Sequence, residues 1–274
     1  MKKYTPITTL LILISSFTGS LSAPTHTYAF ERIPNETIEA KAYIVLDTLT
    51  NKVIWAHNSS AQLAIASITK IASALSVLEL FDKNTSIKFD GATWKMNELL
   101  KFMLITSSNE AAQELVSFAS STNSRLDLVA NMNNLAERLA LHQTFFLNSS
   151  GLDITERISG GYASARNIAY LMKTFIDKQP ELAAATTLIS GQVHPNTSQM
   201  IEVNNTNKML TSLTGIKASK TGLTDLAGGN LVVAFDVAIN RPMIAVVLGS
   251  TEEGRFNDMK ILINATMRYV NRRK

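Results

Sequence analysis

The chain has 274 residues, of which 46% are apolar and 18% charged, with a net charge of +4 and no cysteine. This composition supports one large buried core and excludes extended disorder, disulfides, a lipidated N-terminal cysteine and a thiol nucleophile. With so small a positive excess and no basic run interleaved with aromatics, a nucleic-acid partner has no support.

The first segment, Met1 to Ala29, places Lys2 and Lys3 before an apolar run through Leu10, Leu11, Ile12, Leu13 and Ile14, followed by the small residues Ser20, Ser22 and Ala23. That is the layout of a secretory signal peptide. Cleavage is expected after Ala29, because Pro24 directly follows the other candidate, Ala23. The run is short for a membrane span, so an uncleaved anchor is the second reading. An exported protein, periplasmic or extracellular, with one domain over residues 30–274, is the expectation.

Next, Ala42 to Leu46 and Val53 to His57 read as strands of a hairpin turning over Asp47–Lys52. Apolar residues at helical spacing follow at Ile68, Ile71, Ala72, Leu75 and Leu78, at Leu126, Val129, Met132, Leu135 and Leu139, and at Ile168, Leu171, Met172, Phe175 and Ile176. The polar stretch from His194 to Asn207 reads as a surface loop, and so does Ser121-Thr122-Asn123. A second hairpin, Asn230–Val237 with Met243–Gly249, precedes a last helix through Phe256, Met259, Ile263, Met267 and Val270. The fold class is therefore α/β of the α+β type: an antiparallel sheet made from both chain ends (about 40–60 and 210–274), with a helical insert over about 66–200. Gly160-Gly161 and Gly228-Gly229 lack the spacing of a phosphate-binding loop.

Three short motifs carry chemistry. Ser67 and Lys70, three residues apart at a helix start, share one face. A serine hydroxyl needs a base, and a desolvated lysine near other cations can serve as one. Ser107-Ser108-Asn109 forms a turn between two buried helical runs, where polar side chains need a purpose. Lys220-Thr221-Gly222 reads as a sheet edge presenting a cation, a hydroxyl and free backbone groups, with Gly222 permitting close approach of a substrate chain.

In this order, Ser-x-x-Lys, Ser-x-Asn and Lys-Thr-Gly resemble the penicillin-binding and serine β-lactamase superfamily. Ala66–Lys70, Leu104–Ala112, Phe146–Asp153, Tyr162–Asn167 and Lys220–Val232 are similar in particular to segments of the low-molecular-mass D-alanyl-D-alanine carboxypeptidases, over roughly residues 40–270. The resemblance implies a β-lactamase/transpeptidase-like fold and a D-alanine-releasing peptidase acting on peptidoglycan stem peptides, with β-lactams as covalent inhibitors and no cofactor or metal. It further implies that Ser67 forms an acyl-enzyme, Lys70 is its base, Ser107 passes a proton to the leaving amine, Asn109 holds the substrate amide and Lys220 adds positive potential. The backbone N–H groups of Ser67 and Leu223 would form the oxyanion hole, Thr221 would meet the substrate carboxylate beside Gly222, and Arg255 would complete that carboxylate site.

Some positions depart from the pattern. The stretch Phe81–Trp94 looks shortened where relatives often carry an extra hairpin, which predicts a more open groove wall. Leu223 replaces a His or Tyr, keeping only the backbone role. The sequence ends at Lys274, where longer relatives continue into a β-domain and an amphipathic anchor, so membrane contact is expected only through the signal segment. A cross-link-cutting D,D-endopeptidase is the nearest alternative, and Arg255 counts against it. A class A β-lactamase needs a Glu-x-x-Leu-Asn segment that is absent between Asn109 and Lys220, and a non-catalytic cell-wall-peptide or penicillin-binding module would not need all three motifs. His26, His57, His142 and His194 are scattered rather than paired. Phe102-Met103 and Phe145-Phe146 read as core, and Trp55 and Trp94 are candidates for the groove edge.

Overall fold

The computed structural model describes residues 33, 37–195, 200–211 and 215–272; the expected signal segment lies outside them. In chain order the elements are β1 (Ala42–Asp47), β2 (Val53–His57), β3 (Leu63–Ala64), a 3₁₀ turn at Ala66–Thr69, and α1 (Lys70–Leu80). The hairpin β4 (Ser86–Phe89) and β5 (Ala92–Lys95) comes next, then α2 (Met96–Thr106), α3 (Asn109–Thr122), α4 (Leu128–Arg138), β6 (Phe145–Phe146) and β7 (Gly161–Ala163). After these come α5 (Ala165–Lys178), α6 (Pro180–Ala185), β8 (Ser190–Val193), β9 (Ile201–Asn204) and a second 3₁₀ turn at Lys208–Thr211. The chain closes with β10 (Ile216–Thr224), β11 (Gly228–Asp236), β12 (Pro242–Ser250) and α7 (Gly254–Asn271).

The main sheet has five antiparallel strands in the order β10-β11-β12-β1-β2, so the two chain ends meet where β1 pairs with β12. Its strands alternate between two apolar layers, as the pleat requires. Ala42, Ile44 and Leu46 of β1 face the helical block with Val232, Ala234, Ile244 and Val246. Tyr43, Val45, Leu231, Val233, Ala245 and Val247 face α7, packing on Met259, Leu262 and Ile263. Both faces are covered, which is why these strands read as nearly unbroken apolar runs rather than alternating ones.

The starts of α3, α4 and α5 fall where a polar side chain takes up an orphan backbone N–H. Ser108 accepts from Ala111 N (3.0 Å), Asp127 from Ala130 N (3.0 Å) and Ser164 from Asn167 N (3.2 Å). The entry of α7 is fixed differently. Buried Asp258 accepts from Glu39 N, Ala40 N and Ser250 Oγ (3.0, 2.9 and 2.7 Å), tying the start of α7, and hence Arg255, to the sheet.

Five local expectations need correction. Phe81–Trp94 contains a hairpin after all: β4 and β5 turn at Asp90-Gly91, both with positive φ (49° and 72°), the primed turn that an Asp-Gly pair favours. Its strands are only four residues long, too short for their alternation to stand out, yet Ile87 and Trp94 are buried partners across it. Trp94 belongs to the core, donating to Phe89 O (3.0 Å) and packing edge-on against Phe89, while Trp55 packs on Tyr269 beneath the sheet. Neither edges the groove. His194–Asn207 is not all loop either, because Ile201–Asn204 pairs with Ser190–Val193 and buries Val193 and Val203. Ser121 and Thr122 close the last turn of α3, and Phe145, unlike Phe146, is exposed.

Candidate active site

The nucleophile candidate sits where the chain leaves β3. Ala66 has φ 47°, unusual for a residue with a Cβ, and this kink launches the 3₁₀ turn that carries Ser67 into α1. α1 is buried almost all round, so Lys70, on its first turn, is buried as well. Its Nζ reaches three oxygens: Ser67 Oγ at 2.8 Å, Asn109 Oδ1 at 2.8 Å and the Ser150 carbonyl at 2.7 Å.

Two of those partners can only accept. When Lys70 gives up a proton, its two remaining N–H groups stay on Asn109 and Ser150, and its lone pair is left facing the Ser67 hydroxyl, which then donates to it. Burial favours that neutral form, lowering the Lys70 pKa to about 7 despite the opposing charge of Glu110. Geometry and desolvation together aim the Lys70 amine at the Ser67 hydroxyl and favour its neutral form.

The second cluster is assembled by the turn between α2 and α3. Ser107 ends α2 in the left-handed conformation (φ 62°), and Ser108 caps α3 immediately afterwards, so Ser107 and Asn109 leave the turn in different directions. Ser107 Oγ accepts from Lys220 Nζ (2.8 Å), whose other partner is the Thr221 carbonyl (3.0 Å). Lys220 is fully enclosed; burial first, then the charges of Lys70 and Arg255, hold its pKa well below the ordinary lysine value. Ser67 with Lys70 and Ser107 with Lys220 are thus two hydroxyl–amine pairs, bridged by Asn109 and Ser107 lying two residues apart.

β10 is an edge strand whose free side lies against the 3₁₀ turn. Lys220 and Gly222 point to the helical block, whereas Thr221 and Leu223 take the other face. A Cβ at Gly222 would lie 2.7 Å from Ile65 O and 3.3 Å from Ser67 N, so glycine is what lets the strand edge lie beside the nucleophile's backbone. Leu223 is 43% exposed, consistent with a backbone contribution only. Arg255 is buried; its Nη1 donates to Gly222 O (2.9 Å), and its Nε is enclosed without a hydrogen-bond partner. The Arg255 guanidinium also lies over the Phe256 ring, 4.7 Å from its centroid. All nine expected residues, Ser67, Lys70, Ser107, Asn109, Lys220, Thr221, Gly222, Leu223 and Arg255, line this one region.

Sequence reasoning missed the Ser150 carbonyl and Thr206. Asn148 Oδ1 accepts from Ser150 N, Ser150 Oγ and Gly151 N (3.2, 3.2 and 2.7 Å), an Asx turn that presents the Ser150 carbonyl to Lys70. The run Asn148-Ser149-Ser150-Gly151 carries that turn signal, though nothing in it says which carbonyl will matter. Beside Asn109 and Ser150 opens a cleft of about 810 Å³, walled by Phe89 and Asp90 of the β4–β5 hairpin, Phe102 and Leu152. The β4–β5 hairpin thus walls a cleft that reaches Asn109, though none of the other eight expected residues lines it.

Together the sheet, the helical block and the two hydroxyl–amine pairs define an α+β fold with a serine–lysine cluster at the edge of its main sheet. The family model described as D-alanyl-D-alanine carboxypeptidase matches residues 29–92 and 82–252. The chain belongs to that family. It is 30% identical over 233 residues to D-alanyl-D-alanine carboxypeptidase DacF of Bacillus subtilis, covering 78% of this chain and 58% of that one. It is also 30% identical over 211 residues to a D-alanyl-D-alanine endopeptidase of Haemophilus influenzae, covering 70% of this chain and 69% of that protein. Against DacC of Escherichia coli the identity is 29%, over 66% of that protein's length, so the chain spans less than two thirds of both carboxypeptidases. Among solved structures, a penicillin-binding protein of Listeria monocytogenes in its cefotaxime-bound form superposes with a TM-score of 0.72 at 26% identity, over 85% of this chain and 98% of that one. A D-alanyl-D-alanine carboxypeptidase of Mycobacterium tuberculosis shares the fold, with a TM-score of 0.75 at 22% identity over 86% of this chain and 94% of that one.

Proposed function

We propose that this protein is a serine-type D-Ala-D-Ala carboxypeptidase that removes the terminal D-alanine from peptidoglycan stem peptides. The observation that carries the reading is the placement of Lys70, enclosed between two carbonyls with its third position on Ser67 Oγ. Lys70 takes the Ser67 proton as Oγ attacks the carbonyl of the penultimate D-alanine. The N–H groups of Ser67 and Leu223 receive the negative charge that develops on the carbonyl oxygen. Collapse breaks the peptide bond; the proton that Lys70 took from Ser67 passes through Ser107 to the departing D-alanine amine, leaving an ester on Ser67 and Lys70 neutral again. Water, deprotonated by Lys70, hydrolyses that ester. Asn109 orients the substrate amide, and Thr221 with Arg255 holds the free carboxylate. The chemistry needs no cofactor.

Relatives named D-alanyl-D-alanine carboxypeptidase support this reading, and the cefotaxime-bound neighbour supports β-lactams as ligands, which on this reading would acylate Ser67. Substrate in the cell wall places the enzyme outside the cytoplasmic membrane, with Met1–Ala29 as its signal peptide and residues 30–274 as one catalytic domain. Among the described residues, no helix is long and apolar enough to cross a membrane.

A D,D-endopeptidase is the second reading, favoured by the Haemophilus influenzae relative. The position of the Arg255 guanidinium on the Gly222 carbonyl, beside Thr221, supports recognition of a free carboxylate and hence the first reading. Chromatography of digests separates the two. The expected result is D-alanine release from a pentapeptide stem at a rate well above cleavage of a purified cross-linked dimer; dimer cleavage without D-alanine release would reverse the assignment.

A further inference from the structure

Thr206, on the short link between β9 and the second 3₁₀ turn, belongs to none of the three motifs. Its Oγ1 lies 2.5 Å from Thr221 Oγ1, and its N–H points to the Ile105 carbonyl (3.4 Å), two residues before Ser107. The link is held firmly. Asn205 Nδ2 donates to the Thr186 and Leu188 carbonyls (2.9 and 3.0 Å), Asn205 Oδ1 accepts from Asn207 N (2.9 Å), and Asn207 Oδ1 accepts from Met209 N (3.0 Å). Thr186 also anchors β10, its Oγ1 accepting from Ser219 N (2.9 Å) and its carbonyl from Ser219 Oγ (3.1 Å). Loop and strand are thus referred to one anchor, Thr186, which sets the backbone separation of the two threonines.

Two hydroxyls carry two protons, and only one fits between oxygens 2.5 Å apart. The other proton must point away from the pair. Thr221 lies next to Gly222, whose carbonyl receives Arg255, so the acceptor best placed to take that proton is the one Arg255 also awaits. We infer that Thr206 is a positioning residue for the substrate's terminal carboxylate: it donates to Thr221 Oγ1, which frees the Thr221 proton to bond the carboxylate. The chain of two hydroxyls polarises as the anion binds, strengthening both bonds. This inference rests on the carboxypeptidase reading given above and assigns Thr206 to its specificity.

Steady-state kinetics on a pentapeptide stem ending in D-Ala-D-Ala, and on its C-terminal carboxamide, test it. Thr206→Val keeps the shape and removes the hydroxyl, and Thr206→Ser keeps the hydroxyl. The expected result for Thr206→Val is a loss in kcat/KM of about fivefold to twentyfold on the acid, carried mainly by KM, with the amide changed less than about twofold. Thr206→Ser restores most of the preference for the acid, and in a Thr221→Val background the change at 206 adds little. Should Thr206→Val melt far below wild type, Thr206→Ala against Thr206→Ser makes the same comparison. Equal losses on acid and amide, or full acid preference in Thr206→Val of an otherwise active enzyme, overturn the inference alone. A wild-type protein that releases no D-alanine overturns the carboxypeptidase reading and the inference with it.

Discussion

Replacing Lys70 by methionine is expected to slow acylation of Ser67 by on the order of 10³- to 10⁴-fold, equivalent to about 4–5.5 kcal/mol of transition-state stabilisation. Methionine matches the buried volume but offers no lone pair to the Ser67 hydroxyl. The substitution also deprives Asn109 Oδ1 and the Ser150 carbonyl of their donor, while removing an amine that is costly to bury. These terms oppose each other, so the melting temperature should move by only a few degrees. The wild-type acylation rate should rise with pH through about 7, because the active form of Lys70 is the neutral amine and its pKa is lowered to that value by burial. Stopped-flow acylation by a chromogenic β-lactam reads both effects. A Lys70→Met rate within tenfold of wild type, or a wild-type rate that falls between pH 6 and 8, would remove Lys70 from the role of base.

The second large effect concerns Gly151. It has φ +80°, and a Cβ there would lie 1.9 Å from Ala66 O, 2.5 Å from Ala66 C and 2.7 Å from Thr69 Oγ1. Backbone atoms cannot yield as a flexible side chain can, and the residue that would be pushed directly precedes Ser67. Gly151→Ala is therefore expected to cost about 3–4 kcal/mol, the sum of left-handed strain and overpacking. Because the same loop presents the Ser150 carbonyl to Lys70, acylation should fall with stability. Gly91→Ala is the control. Its φ is +72°, yet a Cβ there meets nothing within 4 Å, so only the conformational cost of about 1 kcal/mol remains. Denaturant melts of the two variants should differ by at least about 2 kcal/mol; equal losses would mean that the Ala66 contact does not set the cost.

How much of this was legible in the sequence depended on how local each signal was. The major helices follow from apolar periodicity, and the sheet from unbroken apolar runs that burial on both faces enforces, as in Ala42–Leu46 and Leu231–Phe235. The Ser67–Lys70 pair was legible because its two members lie one helical turn apart, whereas Ser107 and Lys220, 113 residues apart, were legible only as members of two separate motifs and are paired by the tertiary fold. The hairpins β4–β5 and β8–β9 escaped because four-residue strands leave too few alternations to register, although Asp90-Gly91 did carry its turn signal. The Ser150 carbonyl was illegible in principle, since every residue has one and only tertiary packing chooses among them. Thr206 escaped for the same reason: its partner Thr221 is near only once β9, α6 and β10 are assembled.

The most direct test is intact mass of the protein after incubation with penicillin, followed by mapping of the labelled peptide. The account predicts one adduct of a single penicillin mass on the peptide containing Ser67, absent from Ser67→Ala under the same conditions. No adduct at millimolar penicillin, or an adduct that persists in Ser67→Ala, would contradict it.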